Sequence, residues 1–456
     1  MLQARVQAGV GLGWRPELAA DLLRAPESVD FLEVVADTCF AQLAAWREAR
    51  ALAEWKVVVP HGVKLSLGSA DGIDMSRARK LGALARELRA PAISEHVAFT
   101  RGGAREIGHL TSLPFTRDAV RVVARNVSAA RRVWPDVPVL LENVAWTFRW
   151  PEDELSEGDF YAEIAAATGC ELLLDVANLF ANAINSGVAP SRALREFPLD
   201  RVGMLHVAGG VEEDGFYLDT HADPVPDAVF ALAAQALAQT GPLAVLLERD
   251  QGFPPFAELV SEIETLRTLV KRAPARERTP ARAQPGAPLA AAAAREMTAR
   301  QARVAEWLTT VAPPAEADAR SLGVEAVART RTVLQRKRLD EALPLLPRTS
   351  AAGDAARSLA WHAVRGLERA PRGAGIADAL RIADAAVASP ELAAAALRDR
   401  LELRSRFARR GPSGSCMPRR GPFLGRERLP DGRSVWAFKG PGITAAVRTI
   451  ELGGEG

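Results

Sequence analysis

Eight short apolar or β-branched runs through the first 270 or so residues limit the fold more than any other feature. They are QAGVGLG (7–13), FLEVVAD (31–37), KVVVPHG (56–62), AISEHVAF (92–99), VPVLLENV (137–144), ELLLDVANL (171–179), RVGMLHVAG (201–209) and LAVLLERD (243–250). Runs this uniformly apolar suit strands buried on both faces. Between them, RPELAADLLRAPE, MSRARKLGALARELRA and TRDAVRVVARNVSAARRVW place Leu, Ala and Val three to four residues apart with charges opposite, which is the helical period. Eight alternations of strand and helix predict an α/β chain folded as a (β/α)8 TIM barrel. The competing fold, an open doubly wound sheet, would more often carry a glycine-rich phosphate loop after its first strand. Here GVGLGW continues into RPE without a third glycine, so a dinucleotide site is not supported.

Seven of the eight runs, all but QAGVGLG, carry toward their C-terminal ends residues able to bind a metal or move a proton: Glu33, His61, Glu95 with His96, Glu142 with Asn143, Asp175 with Asn178, His206, and Glu248 with Asp250. In a barrel these C-terminal strand ends meet at one mouth. The segment LDTHADPVP adds Asp219, His221 and Asp223 in a Pro-flanked turn. Any one of these acids, taken alone, is as readily a helix N-cap or an arginine partner. So many buried carboxylates together are costly without cations. Of six histidines, five lie in the first half, and four of those fall in the strand-end pattern or its loop. His109, in REIGHLTSLP, reads as a surface loop residue, and His362, in SLAWHAVRGL, as a structural residue on a helix. Imidazole mixed with carboxylate, without thiolate, favours iron, manganese or zinc. The set exceeds what one ion needs, so two or three ions bridged by a carboxylate such as Glu142 are expected.

The remaining sequence divides the chain. Residues 1–271 form the barrel, 272–294 (RAPARERTPARAQPGAPLAAAAA) read as an exposed Pro/Ala/Arg linker, and 295–456 as a basic, mainly helical domain. From Ala275 onward about 31 Lys and Arg face about 19 Asp and Glu, so the formal charge of +2 conceals an acidic front and a basic back. A basic back half suits an acidic partner such as a peptide, RNA or another protein surface, of which the peptide is the one expected and nucleic acid is not. The bland alternative is a solvated Arg-rich helical surface. GPFLGRERLPDGRSVWAFKGPGITAAVRTIEL alternates around a DG turn and predicts a small hairpin, whose edge is able to accept a peptide strand. Three cysteines at irregular spacing fit neither a disulfide framework nor a Cys-type zinc module. Cys39 and Cys170 read as small buried hydrophobes and Cys416 as part of a flexible basic loop. No run reaches the ~18 apolar residues of a membrane span, and MLQARVQAGVGLGW lacks an apolar signal core, so a cytoplasmic protein off the membrane is expected.

HGVKLSLGS (61–69), SEHVAF (94–99), LLENV (140–144), LLLDVANLFANAINSG (172–187), MLHVAGG (204–210), DTHADPVPDAVF (219–230) and LLERD (246–250) resemble, in this order, the multinuclear non-haem iron-dependent oxidative enzymes. That family includes the oxidase of methanobactin biosynthesis and the enzyme that shortens a peptide-borne cysteine in 3-thiaglutamate biosynthesis. The resemblance spans residues 7 to 255 and implies a TIM barrel with two or three irons, mixed Fe(II)/Fe(III) when active. Such enzymes use O2 to modify a ribosomally made precursor peptide, most often at cysteine. It further implies that His61, His96 and Glu142 hold one iron, Glu142, Asp175, His206 and Glu248 a second, and Asn178, Asp219 and His221 a third. Asp250, beside Glu248, is the candidate for proton transfer, with pairing to Arg249 or another base as its structural alternative.

Two positions depart from the family pattern. Ala177 stands where the first of an Asn pair is usual, and VVADT with Asp37 replaces a Glu-Asn ending of the second strand. Neither removes a ligand, but both alter the pocket wall, so the substrate does not transfer. Family enzymes commonly work with a separate partner that holds the leader of the precursor, and the helical back half resembles such a partner fused to the barrel. Its alternative role is dimerisation or stabilisation. The rival functions are a divalent-metal sugar isomerase or epimerase of the xylose-isomerase type, an endonuclease IV-like metal hydrolase, and a non-catalytic scaffold carrying a binding module.

Overall fold

The computed structural model describes residues 6–276, 283–284, 286–310, 322–370, 373–411 and 414–452. Part of the segment read as a linker, 277–282 and 285, lies outside the described residues. The chain divides into two compact units, one of residues 1–103 and 109–301, the other of 104–108 and 302–456.

In the first unit the eight apolar runs are eight strands: β1 (Gly9–Gly13), β2 (Phe31–Val35), β3 (Val57–Gly62), β4 (Ile93–His96), β5 (Val139–Glu142), β6 (Glu171–Asp175), β7 (Val202–Ala208) and β8 (Ala244–Glu248). Each is parallel to its neighbours, and β1 pairs with both β2 and β8, closing the barrel. The crossovers carry amphipathic helices whose ends match their sequence signals. Asp74 caps Met75–Glu87, Thr116 caps Arg117–Arg131, and Ser156 caps Glu157–Thr168, which stops at Gly169 in the left-handed conformation.

The interior of the barrel is layered, and the layering places the site. Phe31, Val59, Ala92, Leu140, Leu173, Met204, Ala244 and Leu246 pack together as an apolar plug. A strand returns to the same face every second residue. Two residues beyond Phe31, Val59, Leu140, Leu173, Met204 and Leu246 stand Glu33, His61, Glu142, Asp175, His206 and Glu248. The plug closes one end of the barrel, at about 1.5–3 kcal/mol for each fully buried large side chain, and so floors a polar layer.

Two hairpins leave the mouth. The one of Phe99–Gly102 and Arg105–Thr111 places His109 on a strand, half-buried, which corrects its reading as an exposed loop residue. Its tight turn supplied no long polar loop signal. The second pairs Gly210–Glu213 with Phe216–Asp219 and leads into His221.

The second unit packs the helices Val324–Ala342, Asp354–Val364, Ala374–Ala386 and Ala393–Arg406 around Leu339, Leu346, Val364, Leu380, Ile382 and Leu403. Inside it Arg338 makes a two-pronged ion pair with the fully buried Asp378, at 2.8 and 2.9 Å. His362 is exposed on its helix. Beyond the helices, Phe423–Arg428, Ser434–Lys439 and Val447–Leu452 form a three-stranded antiparallel sheet, one strand more than the hairpin expected from the DG turn. Cys416 is buried on the short strand Ser415–Pro418, not in a flexible loop, and burial raises its thiol pKa. No described helix is long and apolar enough to cross a membrane.

Candidate metal centre

Glu142, at the end of β5, is the hub. Its Oε2 lies 3.5 Å from His61 Nε2 and 3.3 Å from His96 Nε2, and its Oε1 lies 3.3 Å from His206 Nδ1. The rings of His61 and His96 meet edge to face at 4.6 Å. Two groups of ligand atoms, each within 4.8 Å of one another, share this carboxylate: His61, His96 and Glu142, and Glu142, Asp175, His206 and Glu248. All of these side chains are buried.

Surrounding hydrogen bonds decide which nitrogen each ring presents. His96 Nδ1 donates to the Gly62 carbonyl at 3.1 Å, leaving Nε2 toward Glu142. His61 Nδ1 is 2.9 Å from Ser94 Oγ, which likewise leaves Nε2. Gly62 is required beside this pair, since a Cβ there would fall 2.3 Å from Glu95 Oε2. Glu95 is buried under the loop after β3, accepting from Leu65 N and His96 N, and burial raises its pKa. Asp175 serves twice: its Oδ1 caps the helix Val176–Asn185 by accepting from Asn178 N at 2.8 Å, and its Oδ2 points into the site.

The residues assigned to a third ion lie on the rim. His221 Nδ1 is 3.2 Å from Glu248 Oε2, and its Nε2 is 2.7 Å from Asp219 Oδ2, off the hydrogen-bond line. The loop that carries them is pinned at both sides, with His221 N donating to the Gly209 carbonyl and Asp250 N to the His221 carbonyl, at 3.0 and 2.7 Å. His221 has φ +52°, a strained conformation for a non-glycine residue. Gly209 is needed because a Cβ would stand 2.0 Å from the Asp223 carbonyl. Asn178 Nδ2 donates to the Asn143 carbonyl, and Asn143 in turn holds the backbone of Asp175. Asp223 accepts from Thr220 Oγ1 within the loop.

Asp250 is partly exposed, pairs with Arg15 and lies 3.9 Å from His221 Nδ1. Of the alternatives for Asp250, pairing to Arg249 or to another base, it is another base, Arg15, that it meets; Arg249 turns into the protein and pairs with Glu262 at 2.9 Å. Successive residues at a strand end face opposite ways, so adjacency in sequence separated the two.

Glu33 belongs to the same layer, and the strand-end pattern marks it, yet it falls outside the ligand set drawn from the family motifs. Its Oε2 lies 3.2 Å from His206 Nε2 and 4.0 Å from His61 Nδ1.

The charges depend on one another. Burial alone would lower the pKa of His96, but Glu142 and Glu95 push it up to about 9. Burial also opposes a charge on His206 and His221, yet Glu248 and Glu33 hold the first, and Asp219 and Glu248 the second, well above the usual histidine range. Against burial, His96 and His206 lower Glu142, and His206 and His221 lower Glu248 strongly. Asp175 is pushed up to about 8 by burial and by the charge of Asp219.

Among the described residues, buried Glu142 Oε2, Asp175 Oδ2, His206 Nδ1, Asp219 Oδ1 and His221 Nε2 have no hydrogen-bond partner. A buried polar atom without a partner costs about 1–3 kcal/mol, and these five converge on one mouth. Metal ions would satisfy them together, and the donor types suit a first-row metal.

Residues 9–271 match the family model of the RiPP precursor modification enzyme MbnB/TglH/ChrH. The chain belongs to this family. A UPF0276 protein of Streptomyces avermitilis is 41% identical over 272 residues, covering 58% of this chain and 55% of its own length. This chain thus spans about half of that relative. A UPF0276 protein of Caulobacter vibrioides is 36% identical over 263 residues, covering 57% of this chain and 93% of its own. Similar solved structures include endonuclease IV from Thermus thermophilus, with TM-score 0.40 and 16% identity over 58% of this chain and all of that one. A xylose isomerase domain-containing protein from Salmonella typhimurium has TM-score 0.41 and 15% identity over 58% of this chain and 97% of its own.

Proposed function

We propose that this MbnB/TglH/ChrH-family member is an O2-dependent iron enzyme that oxidises a ribosomally made precursor peptide, at cysteine. The observation that carries the reading is the pair of ligand groups joined at Glu142, built from imidazole and carboxylate with no thiolate. His61, His96 and Glu142 would hold one iron, Glu142, Asp175, His206 and Glu248 a second, and Asn178, Asp219 and His221 a third. Bound there, iron supplies one-electron chemistry with O2 and lowers the pKa of a coordinated substrate thiol.

The protein's own groups set the conditions. The apolar plug shuts one end of the barrel, so peptide and O2 enter from the mouth side. Glu142 offers an oxygen to each ligand group and keeps their positions coupled. Asp250, at the rim and reached by solvent, is placed to move a proton between the site and water, with Arg15 setting its orientation. The basic second unit would hold the acidic part of the precursor.

Metal analysis with Mössbauer spectroscopy on protein purified without air tests this. Spin-coupled iron at two or three ions per chain is expected; zinc alone, or iron without coupling, refutes it.

A further inference from the structure

The two nitrogens of His206 have different surroundings. Nδ1 faces Glu142 Oε1 at 3.3 Å and Glu248 Oε2 at 3.4 Å, and is buried without a hydrogen-bond partner. Nε2 donates to Glu33 Oε2 at 3.2 Å. His206 itself is fully buried and Glu33 is 3% exposed, so both groups are shielded from bulk solvent.

Glu33 reaches His206 from β2, three strands away around the closed barrel. In the strand register Glu33 sits beside Gly13 of β1. A Cβ on Gly13 would meet nothing nearer than Arg15 Nη1 at 3.5 Å, so the space alongside Glu33 is open and its side chain has a clear path inward. The carboxylate meets a ring nitrogen on the far side from the ligand groups, and it belongs to neither of them.

A metal ligand needs a lone pair, and a neutral imidazole has one only on the nitrogen without the proton. A carboxylate accepting from the other ring nitrogen fixes that choice and the plane of the ring. We propose that Glu33 is a positioning residue that keeps the proton of His206 on Nε2, so that Nδ1 is the atom presented to the metal beside Glu142 and Glu248. This inference rests on the metal reading above. It also sets His206 apart from His61 and His96, which present Nε2.

The test uses the full chain loaded with Zn(II), a diamagnetic ion, with its six histidines labelled with 15N. Long-range proton–nitrogen correlation then reports the tautomer of each ring, and His206 is assigned by loss of its signals in His206→Ala. Zn(II) affinity is measured alongside by chelator competition. Wild-type protein is expected to show His206 protonated at Nε2 and metal-bound through Nδ1. Glu33→Gln keeps an acceptor oxygen and should retain that pattern, with affinity within about tenfold. Glu33→Ala, and Glu33→Met, which fills the volume without an acceptor, should lose the protected Nε2 proton and weaken binding about 10- to 100-fold. Glu33→Met with unchanged tautomer and affinity overturns the proposal. Glu33→Gln as damaged as Glu33→Ala also overturns it, because Glu33 would then be a ligand itself. Wild-type protein that takes up no ion overturns the metal reading and this inference with it.

Discussion

Binding of a divalent ion should expel protons, and the number follows from the site. At pH 7 His96 of the first ligand group, with its pKa near 9, and Asp175 of the second, near 8, both hold protons that loading of the two groups must displace. The first lies two units above ambient pH and the second one unit. Three units correspond to a thousandfold, about 4 kcal/mol at 1.36 kcal/mol per unit. Because these groups are raised, the penalty is present at low pH and disappears as pH climbs past 9, so affinity must rise with pH. His206 and His221, also raised, add in the same direction. The assay is chelator competition with Zn(II) from pH 7 to 9, together with calorimetry at pH 7 in two buffers of different ionisation enthalpy. At least two protons released on loading both groups and a rise of about a thousandfold in the product of the two affinities are expected. Glu142→Gln removes the carboxylate that holds the proton of His96 and should reduce the release. Affinity flat within tenfold, with less than one proton released, refutes the argument.

Three further outcomes follow from the same geometry. His206→Ala should lose iron while remaining folded by circular dichroism; unchanged iron content contradicts its assignment. Gly209→Ala drives a methyl against the Asp223 carbonyl and should displace the loop of Asp219 and His221, lowering metal stoichiometry while His61 and His96 still bind; full stoichiometry would show that the loop carries no ligand. A chain ended after Thr310 should keep its iron and bind a cysteine-containing precursor peptide more weakly than the full chain does, and equal affinity removes the second unit from substrate holding.

Much of the barrel was legible in the sequence for a simple physical reason. A strand buried on both faces must be apolar throughout, so VPVLLENV and ELLLDVANL stand out, and the residue that breaks each run is polar because it alone faces the mouth. That logic brings Glu33, His61, His96, Glu142, Asp175, His206 and Glu248 to one mouth without coordinates. It could not name partners that come from elsewhere in the chain. Asp250 takes Arg15, a base 235 positions away that the sequence pattern leaves unnamed. The third strand of the C-terminal sheet was hidden because VRTIEL is mostly solvent-facing and lacks a buried run.

By itself the sequence determined the eightfold alternation, the types of candidate ligand and their order along the chain, since periodicity and burial are local properties of each strand. Only the tertiary structure decided which oxygen of Glu142 meets which imidazole, which nitrogen His206 turns inward, and that Glu33 stands behind it. Those choices depend on how side chains three strands apart cross the interior of a closed barrel, and no spacing along the chain encodes that distance.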